Sequence, residues 1–149
     1  MTKFKNNGGK LITYHGLADS LIAPRGTDDY ARRVAAQHGG FAATQSFYRY
    51  FRYPGNGHCG GGAAPAINGT DQFNALVNWV ENGIAPDYFV ATQTTPARTR
   101  KICMFPNTQT YSGVGSTDDA ANFTCTVNAN DDPALVAADV LAPRFHSAD

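Results

Sequence analysis

Charge is scarce in this 149-residue chain: Asp, Glu, Lys and Arg make up 16% of it, against about 25% in an ordinary globular protein. Twelve basic side chains meet twelve acidic ones, so the formal charge is zero and a general polyanion-binding role loses its main support. No stretch reaches the roughly 18 apolar residues of a transmembrane helix, which argues against a membrane span. The opening Met1-Thr2-Lys3-Phe4-Lys5-Asn6-Asn7-Gly8-Gly9-Lys10 is basic but has no apolar stretch behind it, so it does not read as a secretory signal. His-x-x-x-His and Cys-x-x-Cys pairs are absent. So is Gly-x-Ser-x-Gly: none of Ser20, Ser46, Ser112, Ser116 and Ser147 sits on an expected strand-to-helix elbow. Gly60-Gly61-Gly62 lacks the Lys-Ser or Lys-Thr of a phosphate cradle and reads as a flexible loop. The three cysteines, Cys59, Cys103 and Cys125, are an odd number, which in an oxidising compartment leaves one thiol seeking a partner outside the chain.

What the chain does have is Gly, Asn, Thr and aromatic residues, a composition associated with secreted or periplasmic hydrolases. Residues 1–100 hold ten basic and six acidic side chains and residues 101–149 two and six, an acidic carboxyl-terminal tail on a mildly basic body. Lys10-Leu11-Ile12-Thr13-Tyr14-His15-Gly16 reads as a buried strand of a parallel sheet. Thr27, followed by Asp28 and Asp29, is expected to cap a crossover helix over 28–38 that stops at Gly39-Gly40. Residues 45–53 read as a second, aromatic-rich strand ended by Pro54-Gly55. Thr70 or Asp71 then caps a helix with Phe73, Leu76, Val77 and Val80 as its apolar stripe, closed by Asn82-Gly83. Beyond Pro86 the pattern gives a strand over 88–92, a loop-rich stretch to Cys125 and a short helix over 134–141. Strand, helix, strand, helix argues for an α/β fold with a right-handed parallel crossover.

In such sheets functional groups gather past the carboxyl ends of the strands. Asp19 follows the first strand and His58 the second, 39 residues apart, in the order expected of the acid and base of an α/β-hydrolase. That chemistry needs both: a carboxylate holds the imidazole in one tautomer and stabilises its transient charge, while the other ring nitrogen takes a proton from a nucleophilic hydroxyl. The plainer readings are a turn or helix cap for Asp19 and a loop residue for His58. His15, lying before the glycine that ends its strand, reads as a packing residue or one that makes a supporting hydrogen bond. His15, Asp19, His58 and Cys59 are also metal-ligand types, though without a compact pairing. Arg98, Arg100 and Lys101 read as a solvated basic edge and not as a nucleic-acid site.

Three segments carry a resemblance to a known family. They are Lys10-Leu11-Ile12-Thr13-Tyr14-His15-Gly16-Leu17-Ala18-Asp19-Ser20-Leu21-Ile22, Tyr53-Pro54-Gly55-Asn56-Gly57-His58-Cys59-Gly60-Gly61-Gly62 and Ala75-Leu76-Val77-Asn78-Trp79-Val80-Glu81-Asn82-Gly83-Ile84-Ala85-Pro86-Asp87. Together they resemble the tannase and feruloyl esterase family of α/β-hydrolases, as do the stretches around Cys103 and Cys125. The resemblance covers residues 9–126 and leaves 127–149 as a mobile acidic tail. It implies the carboxyl-terminal part of a catalytic domain with an incomplete sheet, in which Asp19 is the triad acid and His58 the general base. It further implies a Cys103–Cys125 disulfide, and for Cys59 a bridge to a cysteine upstream of this chain, beside the nucleophilic serine.

The implied function is hydrolysis of aromatic (phenolic) acid esters through an acyl-enzyme. The serine, oxyanion hole and lid with its calcium site all lie upstream in the family, so no cofactor is expected here and the isolated chain is expected to be inactive. Expected partners are a small aromatic ester and the missing amino-terminal part, with no nucleic acid and no membrane; the full-length protein is expected to be secreted or periplasmic. Asn68-Gly69-Thr70 and Asn122-Phe123-Thr124 match the glycosylation sequon, relevant only in a eukaryotic secretory host. The competing reading is a non-catalytic binding or interaction module built on the same fold.

Overall fold

A computed structural model describes residues 1–60, 62 and 64–127. A short helix α1 (Thr2–Asn6) precedes the apolar strand β1 (Leu11–Gly16), which is followed by the crossover helix α2 (Pro24–Gln37). After a one-turn helix α3 (Phe41–Thr44), strand β2 (Tyr48–Tyr53) returns parallel to β1, with Leu11 opposite Tyr48 and Gly16 opposite Tyr53. The parallel α/β unit is therefore present, as a two-stranded sheet.

Its boundaries differ from the sequence expectation. The crossover helix starts at Pro24, four residues before the expected start, because proline at the first helical position has its φ already set and lacks only an N–H that would find no intrahelical partner. Thr27 is thus inside the first turn and caps nothing, and Asp28 is buried, accepting the Tyr50 hydroxyl at 3.0 Å and facing Arg52 at 3.8 Å. The second strand loses its first three expected residues to the turn after α3.

The aromatic residues of β2 divide between two cores. Tyr48 and Tyr50 face α2 and pack with Ala31, Val34, Ala35, Phe41, Phe47 and Phe105. Phe51 and Tyr53 face the other way, among Phe89, Ala91, Ile102 and Met104. Burial of both faces is what a parallel strand requires.

Helix α4 (Gly69–Asn82) is capped by Asn68, whose side chain accepts the Thr70 N–H at 2.9 Å, and closes at Gly83 in the left-handed conformation. The cap is neither Thr70 nor Asp71. Only part of the expected stripe is covered: Leu76 and Val77 are half-buried but Phe73 and Val80 are exposed, while Gln72, Ala75 and Trp79 turn toward the core. The helix is rotated by one residue because Trp79, with the largest ring, takes the buried position beneath the cations of Lys10 and Arg49.

The strand expected over 88–92 is present, and the stretch read as loop-rich after it holds three more. Strands β3 (Tyr88–Thr94) and β4 (Ala97–Cys103) form one antiparallel hairpin, and β5 (Asn107–Tyr111) and β6 (Phe123–Val127) pair as a second antiparallel ribbon. The Thr, Gln, Asn and Arg content of β4, β5 and β6 hides the strand pattern, because two-stranded ribbons expose much of their surface and give only a faint apolar alternation. A Cys103–Cys125 disulfide, Cα to Cα 5.6 Å, joins β4 to β6. The basic cluster is not a free solvated edge. Arg98 and Arg100 meet Asp118 at 3.7 and 3.3 Å, and the Lys101 ammonium donates to the Phe123 carbonyl at 2.7 Å. The Phe105 N–H to Tyr50 carbonyl bond, at 2.8 Å, sutures the hairpins to β2. The helix expected over 134–141 and the tail expected over 127–149, save Val127 at the end of β6, lie outside the described residues.

Candidate active site

The carboxyl ends of β1 and β2 are stitched together by their backbones. Leu17 N–H donates to the Tyr53 carbonyl and Ala18 N–H to the Asn56 carbonyl, each at 2.9 Å. Gly16 is essential to this approach, since a Cβ there would lie 2.3 Å from the Asn56 carbonyl oxygen. Asn56, itself buried, donates its amide to the carbonyls of Pro54 and Pro65 and so fixes the path of the chain toward His58. The loop after β1 turns at Asp19, whose Oδ1 accepts the N–H groups of Leu21 and Ile22 at 2.9 Å each.

Across the gap, His58 Nδ1 donates to Asp19 Oδ2 at 2.9 Å, and His15 Nε2 reaches the same oxygen from the other side at 3.2 Å. Asp19 therefore receives four N–H donors while its side chain is only 6% exposed. The Ile22 amide, the His58 ring and the Leu21 amide hold its carboxyl well below the usual carboxylate range, against the opposing pull of burial. A carboxylate so placed stays ionised and cannot act as a proton acceptor for the ring; it orients the ring and stabilises a positive charge on it.

The two histidines differ in what they have left to offer. His15 is committed on both nitrogens, Nδ1 to the Thr27 hydroxyl at 2.7 Å and Nε2 to Asp19 and the Ile22 carbonyl. His58 uses only Nδ1; its Nε2 has no hydrogen-bond partner among the described residues, and its side chain is 36% exposed. It borders a cavity of about 490 Å³ that Tyr14, Tyr53, Ile67 and Gln72 also line, and no Ser or Thr is among the lining residues. Tyr14 and Tyr53 stack with ring centroids 5.4 Å apart. Burial raises the Tyr53 phenol above its ordinary value, which keeps it neutral.

The structure thus brings together Asp19 and His58, the two residues singled out in the sequence, and adds His15 as a second donor to the same carboxylate. Cys103 and Cys125 are bonded to each other, whereas Cys59 is free, exposed and in the left-handed region at φ 55°. Among the described residues no group of three His, Cys, Asp or Glu side chains is set to hold a metal ion; both rings direct N–H groups, not lone pairs, at Asp19. Among the described residues no helix is long and apolar enough to cross a membrane. Thr27 escaped the sequence reading because it resembled a helix cap; Pro24, three residues earlier, was the signal that places it inside the helix.

A profile described as tannase and feruloyl esterase matches residues 1–126. The chain belongs to this family. Among tannase and feruloyl esterase relatives, it is 40% identical over 131 residues to a mono(2-hydroxyethyl) terephthalate hydrolase from Piscinibacter sakaiensis, a match covering 84% of this chain and 21% of that protein. It is 38% identical over 130 residues to a probable feruloyl esterase from Arthroderma benhamiae, covering 84% of this chain and 24% of that one. The crystal structure of an esterase from Aspergillus oryzae superposes with a TM-score of 0.77 at 32% identity, over 84% of this chain and 29% of the other. The chain thus spans about a fifth to a quarter of the length of these curated relatives, and its fold is that of this esterase family.

Proposed function

We propose that this chain carries the acid and base of a serine carboxylic ester hydrolase that acts on aromatic acid esters, and that it corresponds to the carboxyl-terminal part of the family's catalytic domain. The observation that carries the reading is the His58 ring, which borders the cavity and is held through Nδ1 by an ionised Asp19, while its Nε2 has no hydrogen-bond partner among the described residues. That is the arrangement a hydroxyl nucleophile requires of its base.

In the step proposed, His58 Nε2 takes the proton of a serine hydroxyl as its oxygen bonds to the ester carbonyl carbon. The ring then returns the proton to the departing alcohol as the carbon–oxygen ester bond breaks, leaving an acyl-serine that water, activated by the same ring, hydrolyses. The serine comes from the part of the family fold that this chain does not span, and the chain alone is inactive. Cys59, adjacent to His58 and free, is the cysteine that would tie this loop to the nucleophile's segment. The Cys103–Cys125 disulfide supports a secreted or periplasmic location.

Labelling with a fluorophosphonate that modifies activated serines tests the assignment. The isolated chain is expected to remain unlabelled. A separately produced family domain bearing the serine should label when mixed with this chain and fail to label when mixed with its His58→Ala variant. Labelling of the isolated chain, or equal labelling with the variant, contradicts the reading.

A further inference from the structure

Among the described residues, His15 is the one histidine lining the cavity that the proposed reaction does not use. It lies on β1, one residue before the glycine on which the two loops close, and its side chain is 12% exposed. Its hydrogen bonds define its state. The Ile22 carbonyl, 3.1 Å from Nε2, can only accept, so Nε2 must carry a proton. That same N–H is shared with Asp19 Oδ2, and the remaining nitrogen, Nδ1, accepts from the Thr27 hydroxyl. The neutral Nε2–H tautomer satisfies every contact. No ring nitrogen is left for a substrate, so His15 cannot substitute for His58.

The consequence falls on Asp19. Its Oδ1 is anchored by the Leu21 and Ile22 amides, which fix one oxygen but leave the other free to swing about it. Oδ2 is the oxygen that meets His58 Nδ1. The His15 Nε2–H approaches Oδ2 from β1, a rigid element, whereas His58 approaches from a loop. We propose that His15 is a positioning residue, which pins Asp19 Oδ2 and thereby selects the Nδ1–H tautomer of His58, the tautomer that leaves Nε2 able to accept a proton. Thr27 extends the chain by one link, from α2 through His15 to Asp19 and His58. This role rests on the reading of His58 as the base, but the contact itself is measurable without any ester.

Long-range nitrogen–proton correlation spectra of the chain with nitrogen-15 histidine report each ring's tautomer. The expected result is Nε2–H for His15 and Nδ1–H for His58. His15→Phe should leave the backbone amide spectrum folded and shift His58 from a single tautomer to a mixture. His15→Gln places an amide N–H where the ring N–H stood and should restore the Nδ1–H form. The inference is overturned if His15 itself is the Nδ1–H tautomer, if folded His15→Phe keeps the wild-type His58 tautomer, or if folded His15→Gln loses it. The first of these readings comes from the unsubstituted chain and does not depend on how either variant folds. Expected tautomers combined with no serine labelling in any mixture would remove the hydrolase reading and leave this contact standing; the reverse pair of results removes this inference alone.

Discussion

Four N–H groups converge on the two oxygens of Asp19, and the pH response of the fold follows from them. The carboxyl titrates lower in the folded chain than in the unfolded one, so its hydrogen bonds add stability above the unfolded value of about 3.9. As pH falls through that value and on toward the lower folded one, the contribution disappears. Denaturation curves should show the natural chain more stable than Asp19→Asn near neutrality, with the gap closing below about pH 4; a gap that widens in acid would contradict the account. Gly16 gives a sharper local test. A Cβ there would stand 2.3 Å from the Asn56 carbonyl oxygen, a backbone atom with little room to yield, so Gly16→Ala should lower the melting temperature and disturb the His58 ring resonances together. Asp19 and His58 were legible in the sequence because their chemistry and spacing are distinctive. A supporting hydrogen bond was among the expectations for His15, but its partner was not legible, and neither was the role of Thr27, since a threonine beside a helix start has many ordinary roles.

Elements were legible where their pattern was apolar. Strand β1 and its parallel pairing with β2 follow from apolar and aromatic runs separated by a helix, and the structure has them, although β1, expected to be buried, is only half-buried with Tyr14 exposed. The start of α2 moved because Pro24 outweighed the Thr27-Asp28-Asp29 cap signal, and α4 rotated because a single Trp79 outweighed a stripe of smaller residues. Strand β3 was legible because Phe89 and Ala91 alternate into the core, whereas β4, β5 and β6 were not: cross-strand polar pairs, the Asp118 ion pairs and a covalent bond help hold them, and none of these leaves an apolar period in the sequence. The disulfide closes a loop with a sequence separation of 22, and removing it by Cys103→Ser together with Cys125→Ser should cost about 3 kcal/mol in the chain-entropy account. Chemical denaturation in the absence of reductant would measure that loss, and no change at all would show that the ribbons hold β6 without it.

On the scale of the whole molecule, the described residues form one parallel pair, β2 buried on both faces and β1 half-buried, with two ribbons sutured to β2. Strand β1 pairs on one edge only, and Tyr14 and Ile22, which line the cavity where His58 sits, remain exposed, as do Leu21 and Phe73. These surfaces are consistent with a part that works inside a larger family fold. The central proposal is that His58 acts as the base toward a serine hydroxyl. Its most direct test is turnover of a chromogenic phenolic ester by this chain, by a serine-bearing domain of the family, and by the two mixed. The account predicts no turnover from the chain alone and turnover in the mixture that is lost with His58→Ala. Robust hydrolysis by the chain alone that is abolished by His58→Ala would contradict it, because the nucleophile would then lie within these 149 residues.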